Sequence, residues 1–239
     1  QPTKIPLKNK GKLMLIGVLI AIHWVCFYGS IKLANVSIAL VCISSVGLFT
    51  AVLEPVFFKT KLIWNDILIG LLSLIGILCI FQFDIHFRTG ILVGLVSAFF
   101  ASIFTIINKR LTDQYTTQTI QTFEMTGGLG FLTMVILGIG LFQQTAFIFP
   151  SQNDWFWLII LSLFCTVLAN HLMLSALKKI SAFTLNVSLN LEPVYGIIIA
   201  IVFFQEHKQM GVGFFIGMSL IAISVMLQMI RVLRQQKSK

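Results

Sequence analysis

The chain has 239 residues, 57% of them hydrophobic and 10% charged, with a mean hydropathy of +0.96. A charged share so far below the roughly one quarter of ordinary soluble domains excludes that class and describes an integral membrane protein. The net charge of +9 does not point to nucleic acid, because the basic residues form short clusters between apolar runs, where positive charge sets membrane orientation instead.

Apolar runs between polar breaks predict eight transmembrane helices, at 13–30, 34–58, 62–83, 90–108, 119–142, 155–176, 181–204 and 210–230. About twenty apolar residues span the hydrocarbon as a helix, so the fold class is all-α. Tight links after the second and sixth runs predict antiparallel hairpins there. Fourteen Lys and Arg residues fall on one side (Lys4, Lys8, Lys10, Lys12, Lys59, Lys61, Lys109, Arg110, Lys178, Lys179, Arg231, Arg234, Lys237, Lys239), against Lys32, Arg88 and Lys208 on the other. That bias predicts a multi-pass plasma (inner) membrane protein with both termini cytoplasmic. Cys26, Cys42, Cys79 and Cys165 lie inside apolar runs with no metal-ligand spacing, so they read as small packing residues. No metal and no cofactor is expected.

The chain also repeats itself. Adding 146 to a position in the first three spans lands on its counterpart in the last three without a gap, as Lys32 on Lys178, Val41 on Val187, and Phe57-Phe58 on Phe203-Phe204. Five spans separate each helix from its mate, and an odd number puts the two copies in opposite orientations, an inverted repeat. The fourth and fifth spans would have mates before residue 1. The expectation is therefore a ten-helix 5+5 repeat whose first two helices are missing here, with residues 1–83 as an incomplete first copy and 84–239 as the second. A start codon immediately upstream, with no apolar runs before it, would defeat that expectation.

Two segments carry a family resemblance: FYGSIKLANVSIAL at 27–40, and LSALKKISAFTLNVSLNLEPVYGIIIAIVFFQE at 174–206. The second runs through a helix ending in a basic turn, a small-residue entry into the next helix, a mid-helix Pro193 and a closing Glu206. In this it resembles the EamA-like branch of the drug/metabolite transporter superfamily. The first copy departs from the pattern, with Gly47 for the proline and Thr60 for the acid. The resemblance implies two inverted five-helix bundles around a central cavity, and export or exchange of small metabolites such as amino acids or drug-like compounds.

The candidate site residues are the polar ones held at membrane depth. Glu192 sits mid-span, where an acid costs roughly 3 kcal/mol. It reads either as a proton-coupling or substrate-amine site, or as a brace for the bond that Pro193 removes. Glu124 lies about a turn inside the fifth span, where it faces a pathway or snorkels. Asn186 and Asn190 share one face of the seventh span with Pro193, whereas Ser188, Glu192 and Tyr195 share another. Asn190 is expected to face the cavity, because its repeat mate is Ser44 and both carry hydrogen-bonding groups. Asn170 pairs likewise with Trp24. Trp24 and Tyr28, one turn apart, could clasp a substrate or simply pack. His171 and His23 either titrate or bond a backbone carbonyl. Gly90 with Gly94 and Gly213 with Gly217 fit close helix packing, and an interface on the last span would support a homodimer.

Nucleotide, hydrolase and zinc fingerprints are absent from the sequence, so no catalytic residue is assigned. The leading expectation is a permease moving a small-molecule substrate across the lipid bilayer by alternating access, with proton coupling. Its rivals are a nucleotide-sugar-type exchanger of the same superfamily, and a membrane-embedded enzyme using Glu192 and His171 on a lipid-like substrate.

Overall fold

The computed structural model describes residues 7–83, 85–143, 149–189, 191–205 and 211–237. They form helices α1 (Leu7–Leu33), α2 (Val36–Ile43), α3 (Val46–Phe58), α4 (Trp64–Phe83), α5 (Arg88–Thr112), α6 (Thr117–Gln143), α7 (Gln152–Ile160), α8 (Ala169–Leu177), α9 (Ala182–Leu189), α10 (Leu191–Phe204) and α11 (Val212–Lys237). A single 3₁₀ turn, Ile85–Phe87, precedes α5, and a π-helical stretch, Leu161–Leu168, joins α7 to α8. Six helical stretches are long and apolar enough to cross a bilayer: Asn9–Leu33, Val36–Phe58, Ile85–Thr112, Thr117–Gly140, Gln152–Leu177 and Val212–Arg231. Trp64–Ile80 is apolar but shorter. This is an all-helical membrane protein. Much of its apolar surface is outward, as at Leu129, Met134, Trp157 and Phe164, which suits contact with lipid rather than water.

The chain divides into two compact units, one of Gln1–Ala21 with Ile107–Ile180 and one of Ile22–Ile106 with Ser181–Lys239. Helices α1 and α5 contribute a segment to each.

In the second unit one long run is broken rather than continuous. The 34–58 run breaks at Ser44-Ser45. There the Ser44 hydroxyl donates to the Val41 carbonyl and the Ser45 hydroxyl to the Cys42 carbonyl, both at 2.6 Å, while the Ser45 N–H also bonds three residues back. Serine hydroxyls that bond back onto the preceding turn bend a helix. The 181–204 run is helical over Ala182–Leu189 and over Leu191–Phe204, and residue 190 between them lies outside the described residues.

The ends of these two runs share one register. The offset of 146 carries the start of α2, Val36, onto the start of α9, Ala182. Asn35 caps α2 by accepting from the Ile38 N–H, and Ser181 does the same at α9 from the Thr184 N–H. Lys59 and Gln205, which follow α3 and α10, are the two non-glycine residues with positive φ among those described, at 56° and 53°. A left-handed residue there ends a helix.

Contacts within this unit run antiparallel. Leu40 of α2 meets Gly196 of α10. On the other half, Asn186 of α9 donates to the Thr50 hydroxyl of α3 at 2.8 Å. One turn further along α3, Glu54 accepts from the Ala182 and Phe183 N–H groups. As numbers rise on one run they fall on the other. Helices α4 and α11 behave alike: Asp66 pairs with Arg231 at 2.9 Å, Ser73 with Ser224 at 2.8 Å, and Gly76 with Gly217. Between them and α2 lies the core of Ile38, Val41, Ile77, Ile80, Ile91 and Phe214. Because lipid is as apolar as these side chains, close fit and interhelical bonds, rather than exclusion from water, must hold such helices together.

Candidate functional site

In the first unit α1 approaches α6 so closely that a Cβ on Gly17 would overlap the backbone of Glu124 and Gly128, and one on Gly127 would overlap that of Met14. This small-residue seam brings the backbones together and walls off Glu124, which is 1% exposed. Glu124 Oε2 accepts a long bond, 3.4 Å, from Asn170 Nδ2 of α8. The amide of Asn108, on α5, also faces this carboxylate and is fully buried.

The cluster is under-bonded. Neither Glu124 Oε1 nor either amide atom of Asn108 has a hydrogen-bond partner. A buried polar group without a partner costs roughly 1–3 kcal/mol. The carboxylate of Glu124 and the amides of Asn108 and Asn170 thus gather at one buried point of the first unit. One turn before Glu124, Gln121 donates to the Val167 carbonyl at 2.6 Å, within the π-helical stretch. Lys109 Nζ donates to the Leu177 carbonyl at 2.6 Å, a cation at the C-terminus of α8. Each of these two long polar side chains ties a helix to the α7–α8 segment that carries Asn170. The first unit's neighbours thus hold the Glu124–Asn170 pair in place.

The remaining expected residues distribute as follows. His171, next to Asn170, is half-buried, and its carbonyl accepts from Ser175. In the second unit Glu192 and Tyr195 are exposed and line one cavity of about 390 Å³ with Ser188, Leu40 and Gly196. Asn186 instead is 3% exposed and committed to Thr50, so the two polar faces of this run meet different surroundings. Ser44 is buried and bonded within its own helix. Trp24 is half-buried and Tyr28 half exposed, its ring edge-on to Phe27 at 5.6 Å. Asn190 and Glu206 lie outside the described residues. His23 is held by Ser97, whose hydroxyl donates to the His23 carbonyl at 3.0 Å and whose own carbonyl lies 3.0 Å from His23 Nδ1. That is the backbone-bonded alternative for this histidine.

Asn108, Gln121 and Thr50 escaped the sequence reading. Asn108 is the last residue of the 90–108 run, where an asparagine reads as a helix end. Because α5 continues to Thr112, it is an interior residue instead. Among the described residues no three His, Cys, Asp or Glu side chains gather as metal ligands.

Comparison with known proteins agrees with this architecture. A solved crystal structure of another protein, 16% identical, superposes with a TM-score of 0.65, covering 97% of this chain and 79% of its own. At that identity it speaks for the fold alone. No curated protein matches. The sequence profile of the EamA-like transporter family matches residues 1–82 and 88–230. Covered over nearly its whole length, the chain belongs to the EamA-like transporter family, and so to the membrane transporters of the drug/metabolite superfamily.

Proposed function

We propose that this protein is a secondary transporter that moves small polar metabolites by alternating access of two oppositely oriented copies of one helical motif. The observation that carries this reading is an exchange of contacts. The Leu40–Gly196 contact, shifted by the 146-residue offset and with the partners swapped, becomes the Asn186–Thr50 contact. Helices α2 and α10 therefore meet as α9 and α3 do, which is the pattern a pseudo-two-fold axis between antiparallel copies produces. Such inverted repeats build sites that open to either side in turn. The family profile supports the same division, since its two matched segments part between residues 82 and 88.

Glu124, Asn108 and Asn170 are the proposed binding group. They offer an acidic acceptor beside amide donors and acceptors, suited to an amine or a zwitterion, and an acid at that depth also suits proton coupling. Glu192 and Tyr195 would serve as a second contact along the path. The family resemblance implies export or exchange, and the basic-residue bias favours both termini on the cytoplasmic side.

The test is flux in proteoliposomes loaded with a mixture of amino acids and amines, with solute identity checked on both sides. A transporter moves solute unchanged; a chemically altered solute would overturn the reading in favour of an enzyme. Glu124→Gln and Asn108→Leu should each lower flux at least about tenfold, the loss of one buried polar contact. Glu192→Gln should impair flux or flatten its dependence on pH between about 5 and 8. Unaltered flux and pH profile in all three variants would remove these residues from the path.

A further inference from the structure

A cavity of about 410 Å³ lies within the first unit, apart from the Glu124 cluster, between one face of α1 and the end of α5. On α1 its wall runs from Asn9 and Lys12 to Leu15 and Leu19, positions at helical spacing on one side. On α5 the wall runs the opposite way in sequence, from Ile107 to Arg110 and then, past the helix, Tyr115. Both walls are therefore graded in the same direction. One end is cationic and hydrogen-bonding, and the other is aliphatic.

The cations at the polar end are not consumed by the fold. Lys109 bonds the Leu177 carbonyl and Lys10 lies 6.0 Å from the centroid of the Phe123 ring. Lys12 and Arg110 are exposed, no acid lines the cavity, and neither side chain has an ion pair among the described residues. Asn9 Nδ2 donates to the Tyr115 hydroxyl at 2.9 Å, which fixes the phenol at the cavity rim with its proton free to donate. Two positive charges and a hydroxyl donor above an aliphatic slot match an anionic amphiphile. A soluble phosphate would use the first part and waste the second.

We infer that this cavity binds an anionic phospholipid, with the headgroup phosphate between Lys12, Arg110 and Tyr115 and the start of an acyl chain against Leu15, Leu19 and Ile107. The basic-residue bias puts the polar end at the cytoplasmic surface, where anionic lipid attracts basic side chains. The phosphate oxygens accept from the guanidinium and ammonium groups. The site is independent of the transport reading and would stand if that reading fell.

Native mass spectrometry of the purified full chain, with phosphatidylglycerol or phosphatidylcholine added, tests it. The unaltered protein should hold a phosphatidylglycerol molecule at least about tenfold more tightly than phosphatidylcholine. K12Q/R110Q should lose about thirtyfold in that affinity, two surface charges' worth, whereas Lys61→Gln, an exposed basic residue of the other unit, should lose none. Leu15→Trp, which fills the aliphatic end without touching charge, should weaken phosphatidylglycerol several-fold. If the double variant fails to elute as a single species, the K12Q and R110Q singles replace it, each expected to lose about fivefold. Retained preference in the charge variants, equal loss in K61Q, or unchanged affinity in L15W overturns the assignment. Displacement of the lipid by excess inorganic phosphate also overturns it, in favour of a soluble anion.

Discussion

Two helical runs of the second unit share the positions of their ends and differ in chemistry. Helices α2–α3 and α9–α10 start and stop at positions 146 residues apart, and each run is capped at its start by a short polar side chain and followed by a left-handed residue. At the mated contacts, one place is held by a leucine against a glycine and the other by an asparagine bonded to a threonine. Geometry is therefore kept where side chains are not, because the backbone path depends on where helices begin and end, whereas a contact needs only that its two partners fill the space between them.

The largest expected effect tests the backbone half of that comparison. Gly76→Leu would drive a side chain into the Gly217 carbonyl, and backbone cannot yield as a side chain can. A loss of about 3 kcal/mol or more should appear as a collapse of the monodisperse elution peak. Gly130→Leu, at a glycine with open space around it, should be neutral or slightly stabilising, by up to about 1 kcal/mol. Equal damage at both positions would mean that close approach is not what the seam requires.

Next comes the chemical half. Asn186→Leu should lower thermal stability by about 1–2 kcal/mol, the value of a buried side-chain bond. Adding Thr50→Gly then rebuilds the leucine-on-glycine contact of the other copy in the mated place. Although a helical glycine by itself costs about 1 kcal/mol, the double variant should be no less stable than Asn186→Leu alone. Simple additivity in that cycle would break the equivalence of the two contacts.

Smaller effects sharpen the picture. Glu54→Gln weakens a carboxylate that accepts two N–H groups at the start of α9, and should cost about 1 kcal/mol. Melting curves of the purified variant would read it. Ser44→Ala with Ser45→Ala should change stability by less than about 0.5 kcal/mol while slowing hydrogen exchange around residues 44 to 48 as the break straightens. Unchanged exchange would place the cause of the bend in packing rather than in the serine hydroxyls.

The Glu124 cluster shows how far residue types alone can lead. A carboxylate in an apolar run announces itself by cost, and Asn170 stood out as the repeat mate of Trp24. Asn108 did not, because an asparagine at the edge of a run looks like a cap until the helix is seen to continue. Likewise Asn186, polar and mid-span, read as a cavity residue. What the sequence could not display is that Thr50 stands opposite it and takes up its amide.

Membrane insertion, the helical class and the 146-residue register were decided by the sequence alone, since bilayer thickness and the need to satisfy every backbone group leave few ways to arrange such apolar runs. Which polar residues are spent on neighbouring helices and which are left without partners was decided only by tertiary structure. A hydrogen bond depends on a partner some three ångströms away, and in helices packed antiparallel that partner can lie more than a hundred residues along the chain, as Asn186 lies from Thr50.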